Sequence, residues 1–196
     1  MEYNIKNALE VAMKYWSKSS LSIYRYLEKM TNTLDKLILD LSKHSNNVSM
    51  IKNQTTYNRA RKLIELLDRK RKMINLKVAV EDSLAGLNKI DRRILTLVFI
   101  DGAKSEMIAQ ILGVSLRTFF RKKVIALNKF NSQMIAKGFD LDFFIREYSK
   151  EQWILSVYEE CVNKYNKEDE TMDVCIVKRV LNEISKVTLG NSIYVC

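Results

Sequence analysis

The chain has 196 residues, 47% hydrophobic and 29% charged, with five glycines and no proline. That is enough for one or two compact domains with a real core, and it favours an all-α fold. A formal net charge of +10 suits a polyanionic partner, while the absence of any bilayer-length apolar run argues against a membrane protein.

The charge is unevenly placed. Residues 1–85 carry 16 Lys/Arg against 9 Asp/Glu, residues 86–137 carry 10 against 3, and residues 138–196 carry 7 against 11. A polyanion is therefore expected on the first two thirds and repelled from the last. The opening MEYNIKNALEV does not read as a signal peptide. Cys161, Cys175 and Cys196 are widely spaced and read as reduced core thiols of a cytoplasmic protein. The single histidine, His44, has no Cys or His near it, so a metal site is not expected; no cofactor is expected either.

In chain order, apolar residues at Ile5, Leu9, Ala12, Met13 and Trp16 predict a helix that Ser17–Ser20 breaks. A second pattern at Leu21, Tyr24, Leu27, Thr31, Leu34, Ile38 and Leu41 approaches a heptad seam, and it ends in the polar stretch Ser42–Ser49. A third helix, Thr56 to Leu84, places Tyr57, Ala60, Ile64, Leu67, Ile74 and Val78 toward a partner in an antiparallel hairpin. Its other face carries Arg59, Arg61, Lys62, Arg69, Lys70, Arg71 and Lys72. That face reads as a solvated border of the hairpin, as a phosphate-tracking extension, or as both, because the helix runs directly into Leu87. KVAV at Lys77–Val80 and SIYVC at the C-terminus are the only strand-like runs, and the first falls within the helical period.

The stretch Leu87–Phe130 reads as three helices, the last two forming a helix-turn-helix. The first, about Ile90 to Ile100, aligns Ile90, Ile94, Leu97 and Val98 on one stripe, and Asp101-Gly102 stops it. Ser105 is expected to cap the short second helix, which ends near Leu112. Gly113 supplies the positive φ of the turn, Val114 plugs the turn into the core, and Ser115 caps the third helix. Ala109 allows close helix approach and Phe119 closes the small core.

These residues resemble region four of bacterial sigma factors. The match runs through Leu87, Asp91-Arg92, Asp101-Gly102, Ile108-Ala109, Ile111 to Ser115, Ala126-Leu127 and Lys129. Within that superfamily, Ser115 followed by Thr118-Phe119-Phe120-Arg121 is most similar to the phage-type ArpU regulators. The resemblance covers about a quarter of the chain and implies a module that grips double-stranded promoter DNA, with RNA polymerase as a second candidate partner. Lys104 and Met107 stand where such domains carry a Ser/Thr-x-x-Glu capping box, and Val124-Ile125 stand where a basic pair is common.

The exposed N-terminal half of the third helix presents Arg117, Thr118, Arg121 and Lys122 as base-reading candidates, since a helix enters the major groove with its first turns nearest the base edges. Lys104, Ser115, Lys123 and Lys129 are the phosphate-contacting candidates. Full sigma factors melt DNA with exposed aromatics. Here Trp16 and Tyr24 fall on apolar stripes, so core packing is the expected role.

After Phe130, a linker around Lys137-Gly138 leads to the acidic third. Ser149-Lys150-Glu151-Gln152 is a capping pattern before a helix with Trp153, Ile154, Val157, Tyr158, Cys161 and Tyr165 inside. Asn166–Glu170 reads as a charged loop, and Met172–Val187 as a last helix. The expected plan is thus an N-terminal helical hairpin or coiled coil (1–85), a three-helix DNA-binding domain (86–135) and a small helical partner-binding or oligomerisation region (136–196). A sequence-specific transcription regulator follows from this reading. A complete sigma factor and a phage terminase small subunit-like packaging protein are the alternatives. No carboxylate cluster or activated nucleophile points to an enzyme.

Overall fold

The computed structural model describes residues 2–43 and 56–163, with side chains from 12 to 43 and from 57 to 162. All of its regular structure is helical, in seven helices with no strand among the described residues. They are α1 (Glu2–Lys43), α2 (Thr56–Ala85), α3 (Lys89–Leu95, prolonged by a π-helical turn Thr96–Ile100), α4 (Ser105–Ile111), α5 (Leu116–Ala136), α6 (Leu141–Tyr148) and α7 (Gln152–Asn163). His44, the polar stretch beyond Lys43, Tyr165, the run Asn166–Glu170, Cys175, Cys196 and the helix expected over Met172–Val187 lie outside the described residues.

The expected break at Ser17–Ser20 does not occur; α1 passes through it without interruption. Serine disfavours an exposed helix because its hydroxyl competes for backbone groups. Here the hydroxyls are absorbed. Ser19 Oγ donates to the Tyr15 carbonyl and Ser20 Oγ to that of Trp16, at 2.7 and 2.8 Å. Ser17, Ser19, Ser20, Leu21, Ser22 and Ile23 are all buried, so apart from half-buried Lys18 this part of α1 is surrounded by protein. Small side chains are what let neighbouring helices approach so closely.

Residues from all three expected regions build one main core. Leu27, Met30 and Leu34 of α1 meet Met73, Leu76 and Val80 of α2, and Phe130 and Met134 of α5 join the same cluster. Trp16 lies between two rings, with Phe144 at 4.9 Å and Tyr158 at 4.5 Å, both stacked. Trp16 is thus a core residue, as its stripe predicts. α6 has no counterpart in the sequence reading. Asp140 caps it by accepting from the Phe143 N–H, and it sends Phe144 and Tyr148 into the core. Trp153, Ile154, Val157 and Cys161 of α7 are buried as expected.

The α1–α2 hairpin exists, but α2 turns the opposite way. It meets α1 through Met73, Leu76, Ala79 and Val80, while Tyr57, Ile64, Leu67, Ile74 and Val78, expected to face the partner, are exposed. Ile90 is likewise exposed, unlike Ile94 on its expected stripe. In both helices two apolar faces compete, and the residues able to reach the larger core decide which one turns inward.

Candidate nucleic-acid interface

A second, smaller core holds the helix-turn-helix. Ile94, Ile108, Ala109 and Phe119 form it, with Leu97, Leu112 and Val114 packed against its edge. The turn between α4 and α5 follows from Gly113, at φ +62°. The Gly113 N–H donates to the Gln110 carbonyl and the Val114 N–H to that of Ala109, both at 3.0 Å. This pair of bonds satisfies the carbonyls at the end of α4 and drops Val114 onto the core. Ser115 then caps α5 by accepting from the Thr118 N–H at 3.2 Å.

The start of α4 differs from expectation. Ser105 is its first helical residue, and Lys104 occupies the cap with an extended backbone and no side-chain cap bond. The extended backbone that a cap requires falls one residue earlier than the serine.

Phe119, Ala126 and Phe130 anchor the inner face of α5, so helical spacing turns Arg117, Arg121, Val124 and Asn128 outward. Arg117 and Arg121 are exposed one turn apart, and Lys104 is exposed at the head of α4. Lys122 is half-buried on the flank. Among the described residues, none of these four cations takes part in an ion pair. Asn128 was not singled out in the sequence, although it continues the Arg117–Arg121 line by seven residues.

The other candidates are engaged within the protein. Thr118 Oγ1 shares a 2.9 Å hydrogen bond with Ser115 Oγ, so both hydroxyls serve the cap. Lys123 Nζ lies over two rings, 6.0 Å from Phe99 and 5.8 Å from Phe120. Lys129 Nζ is 2.5 Å from Oδ2 of Asp91, a buried carboxylate that also accepts from Asn88 Nδ2. Arg92 donates from Nε to the Leu84 carbonyl and from Nη2 to that of Ala85, closing the C-terminus of α2.

The basic run Arg69–Lys72 of α2 is matched by carboxylates. Arg69 pairs with Glu151 at 3.0 Å, Lys70 with Asp35 at 2.5 Å, Arg71 with Asp68 and Glu147, and Lys72 with Asp68. Two of these acids, Glu147 and Glu151, come from the acidic third. The ordinary reading of this face, a border of the helical bundle, therefore accounts for its cations from Arg69 to Lys72. Among the described residues, Arg117, Arg121 and Lys104 have no such carboxylate partners.

Comparison with known proteins gives no match: no protein family, curated protein or solved structure is similar to the chain at a significant level.

Proposed function

We propose that the chain is a sequence-specific DNA-binding transcription regulator that lays α5 in the major groove of promoter DNA. One observation carries the reading. The Gly113 turn and the small core behind it hold α5 so that Arg117 and Arg121 face outward from its first turns, without an ion pair among the described residues. Each guanidinium can donate two hydrogen bonds to guanine O6 and N7, a contact worth about 1–3 kcal/mol of discrimination. Lys104 at the head of α4 supplies a phosphate contact, which fixes register rather than sequence. The resemblance to sigma region four adds RNA polymerase as a second partner of the same module.

The test is selection of a preferred duplex from a random pool, followed by titration of that duplex and a scrambled one. Arg117→Ala or Arg121→Ala should weaken binding to the selected site roughly 5- to 150-fold and leave the scrambled duplex nearly unaffected. Equal losses on both duplexes would remove base readout from the reading. Failure of the wild-type chain to bind any duplex at low salt would remove DNA.

A further inference from the structure

The outer face of α2 carries a second apolar stripe that no described residue covers. Tyr57, Ile64, Leu67, Ile74 and Val78 are 74, 66, 48, 42 and 45% exposed. With Ala60 and Arg71 they recur at alternating spacings of three and four residues through three heptads, roughly 32 Å of helix. Helical geometry sets this stripe on the side of α2 opposite Met73, Leu76 and Val80, which enter the core. A helix that only bordered the bundle would be polar here. So narrow a stripe, one residue wide at each step, is the seam of a coiled coil rather than the broader face of a globular core.

We propose that this seam joins two copies of the chain in a parallel, two-stranded coiled coil. Tyr57, Ile64, Arg71 and Val78 occupy the first apolar position of the heptad, and Ala60, Leu67 and Ile74 the second. β-Branched residues at the first position with leucine at the second favour two parallel strands, and Ile64, Leu67 and Val78 follow that rule. Charge on the flanks is consistent with it. In a parallel pair Asp82 faces the partner's Lys77, whose ammonium also lies 3.7 Å from Glu28 of its own chain, and Lys70, paired with Asp35, faces the partner's Asn75, so no like charges meet on these flanks.

Arg71 is the one polar residue in the seam. A single polar side chain at this heptad position is the usual device for fixing register and strand number at some cost in stability. Its charge is offset within each copy, because Nη2 donates to Asp68 at 2.9 Å and to Glu147 at 3.1 Å. Since α2 runs into Leu87 and the helix-turn-helix, parallel pairing puts both DNA-binding modules at one end of the dimer. That consequence rests on the DNA-binding reading, in which paired modules contact two half-sites. The dimer itself does not depend on it.

Sedimentation equilibrium of the full chain, without DNA, tests the dimer separately from DNA binding. The expected result is twice the chain mass at micromolar concentration, falling to once the chain mass in Leu67→Glu/Ile74→Glu with helicity unchanged and a thermal midpoint that no longer depends on chain concentration. A monomeric wild type would overturn the proposal. So would a dimer that survives the double substitution, or a monomeric wild type whose midpoint the substitution lowers, which would mean the chain covers its own seam. Orientation is read from Ile74→Cys under mild oxidation. A parallel seam brings the two introduced thiols together, and the cross-linked dimer should exceed that of wild type and of the off-seam control Glu65→Cys. An antiparallel pair overlapping along the whole seam sets Ile74 near Tyr57–Ile64 of the other copy; no excess cross-link would overturn the parallel arrangement.

Discussion

Lys129 of α5 reaches back across the helix-turn-helix to Asp91 of α3, with Nζ 2.5 Å from Oδ2 and the carboxylate only 9% exposed. A buried carboxylate that loses its cation stays desolvated without compensation. The lysine is half exposed, which screens the pair and limits the cost. Lys129→Met should therefore destabilise the chain by about 1–2 kcal/mol in urea unfolding. Adding Asp91→Asn should recover most of that loss. At a temperature where the variant is folded, the slope of duplex affinity against salt should be unchanged. A slope lower by about one would show that the ammonium reaches a phosphate.

Gly113 isolates the conformational contribution of the turn. A methyl group added there would meet nothing within 4 Å, so only the backbone at φ +62° opposes a side chain. Gly113→Ala should cost about 1–2 kcal/mol by urea unfolding, and Gly113→Asn distinctly less, because asparagine tolerates this conformation. Equal losses in the two variants would mean that packing, not φ, selects glycine.

The helix-turn-helix was legible in the sequence because it rests on local chemistry. A positive-φ glycine, a serine cap and four core residues within about 25 positions leave their mark in a short window. The serine run in α1 misled because its burial depends on α5, α6 and α7, which are distant in the chain. For α2 the period was right and the face was wrong. Both of its stripes have helical spacing, and only the tertiary partner shows that Met73 and Leu76 turn inward while Ile64 and Leu67 do not. The commitment of Lys129 to Asp91 was likewise invisible, since 38 residues separate the two.

Lys104 sits where helix chemistry prefers an acceptor. A cation at the head of α4 opposes the helix dipole, and its side chain satisfies none of the free N–H groups. Lys104→Ser should therefore raise stability by about 0.5–1 kcal/mol. The same variant should weaken binding to matched and scrambled duplexes alike and lower the salt slope by about one. If stability rises and duplex affinity is unchanged, Lys104 does not contact phosphate.

Ser17 and Asn131 join α1 to the distal half of α5 through a buried 2.8 Å hydrogen bond, with the serine hydroxyl donating to Oδ1. Ser17→Ala removes the donor and leaves the amide oxygen desolvated, at a cost of about 1–3 kcal/mol. Replacing both partners should hurt less than the sum of the two single changes, since Ser17→Ala/Asn131→Leu leaves no stranded polar group. Strict additivity in a denaturation cycle would show that the two side chains contribute independently.

High pH should loosen the α1–α2 hairpin through Tyr24. Its hydroxyl donates to Glu81 Oε1 at 2.7 Å. Burial first, then the hydrogen bond and charge of Glu81, push its pKa up from 10.0 to about 12. Burial also raises Tyr148, whose hydroxyl donates to the Lys72 carbonyl, and Tyr158. A pKa raised by folding means that the native state holds the proton more tightly than the unfolded chain. The stabilisation is then complete below pH 10 and is lost as pH climbs through about 12. Tyr24→Phe should consequently be less stable than wild type below pH 10, and the gap should close by about pH 12. Thermal melts across that window, with tyrosinate absorbance followed in parallel, measure it. A gap that stays constant through the window would show that the Tyr24–Glu81 bond does not hold the phenol proton, and that the hairpin gains from the ring alone.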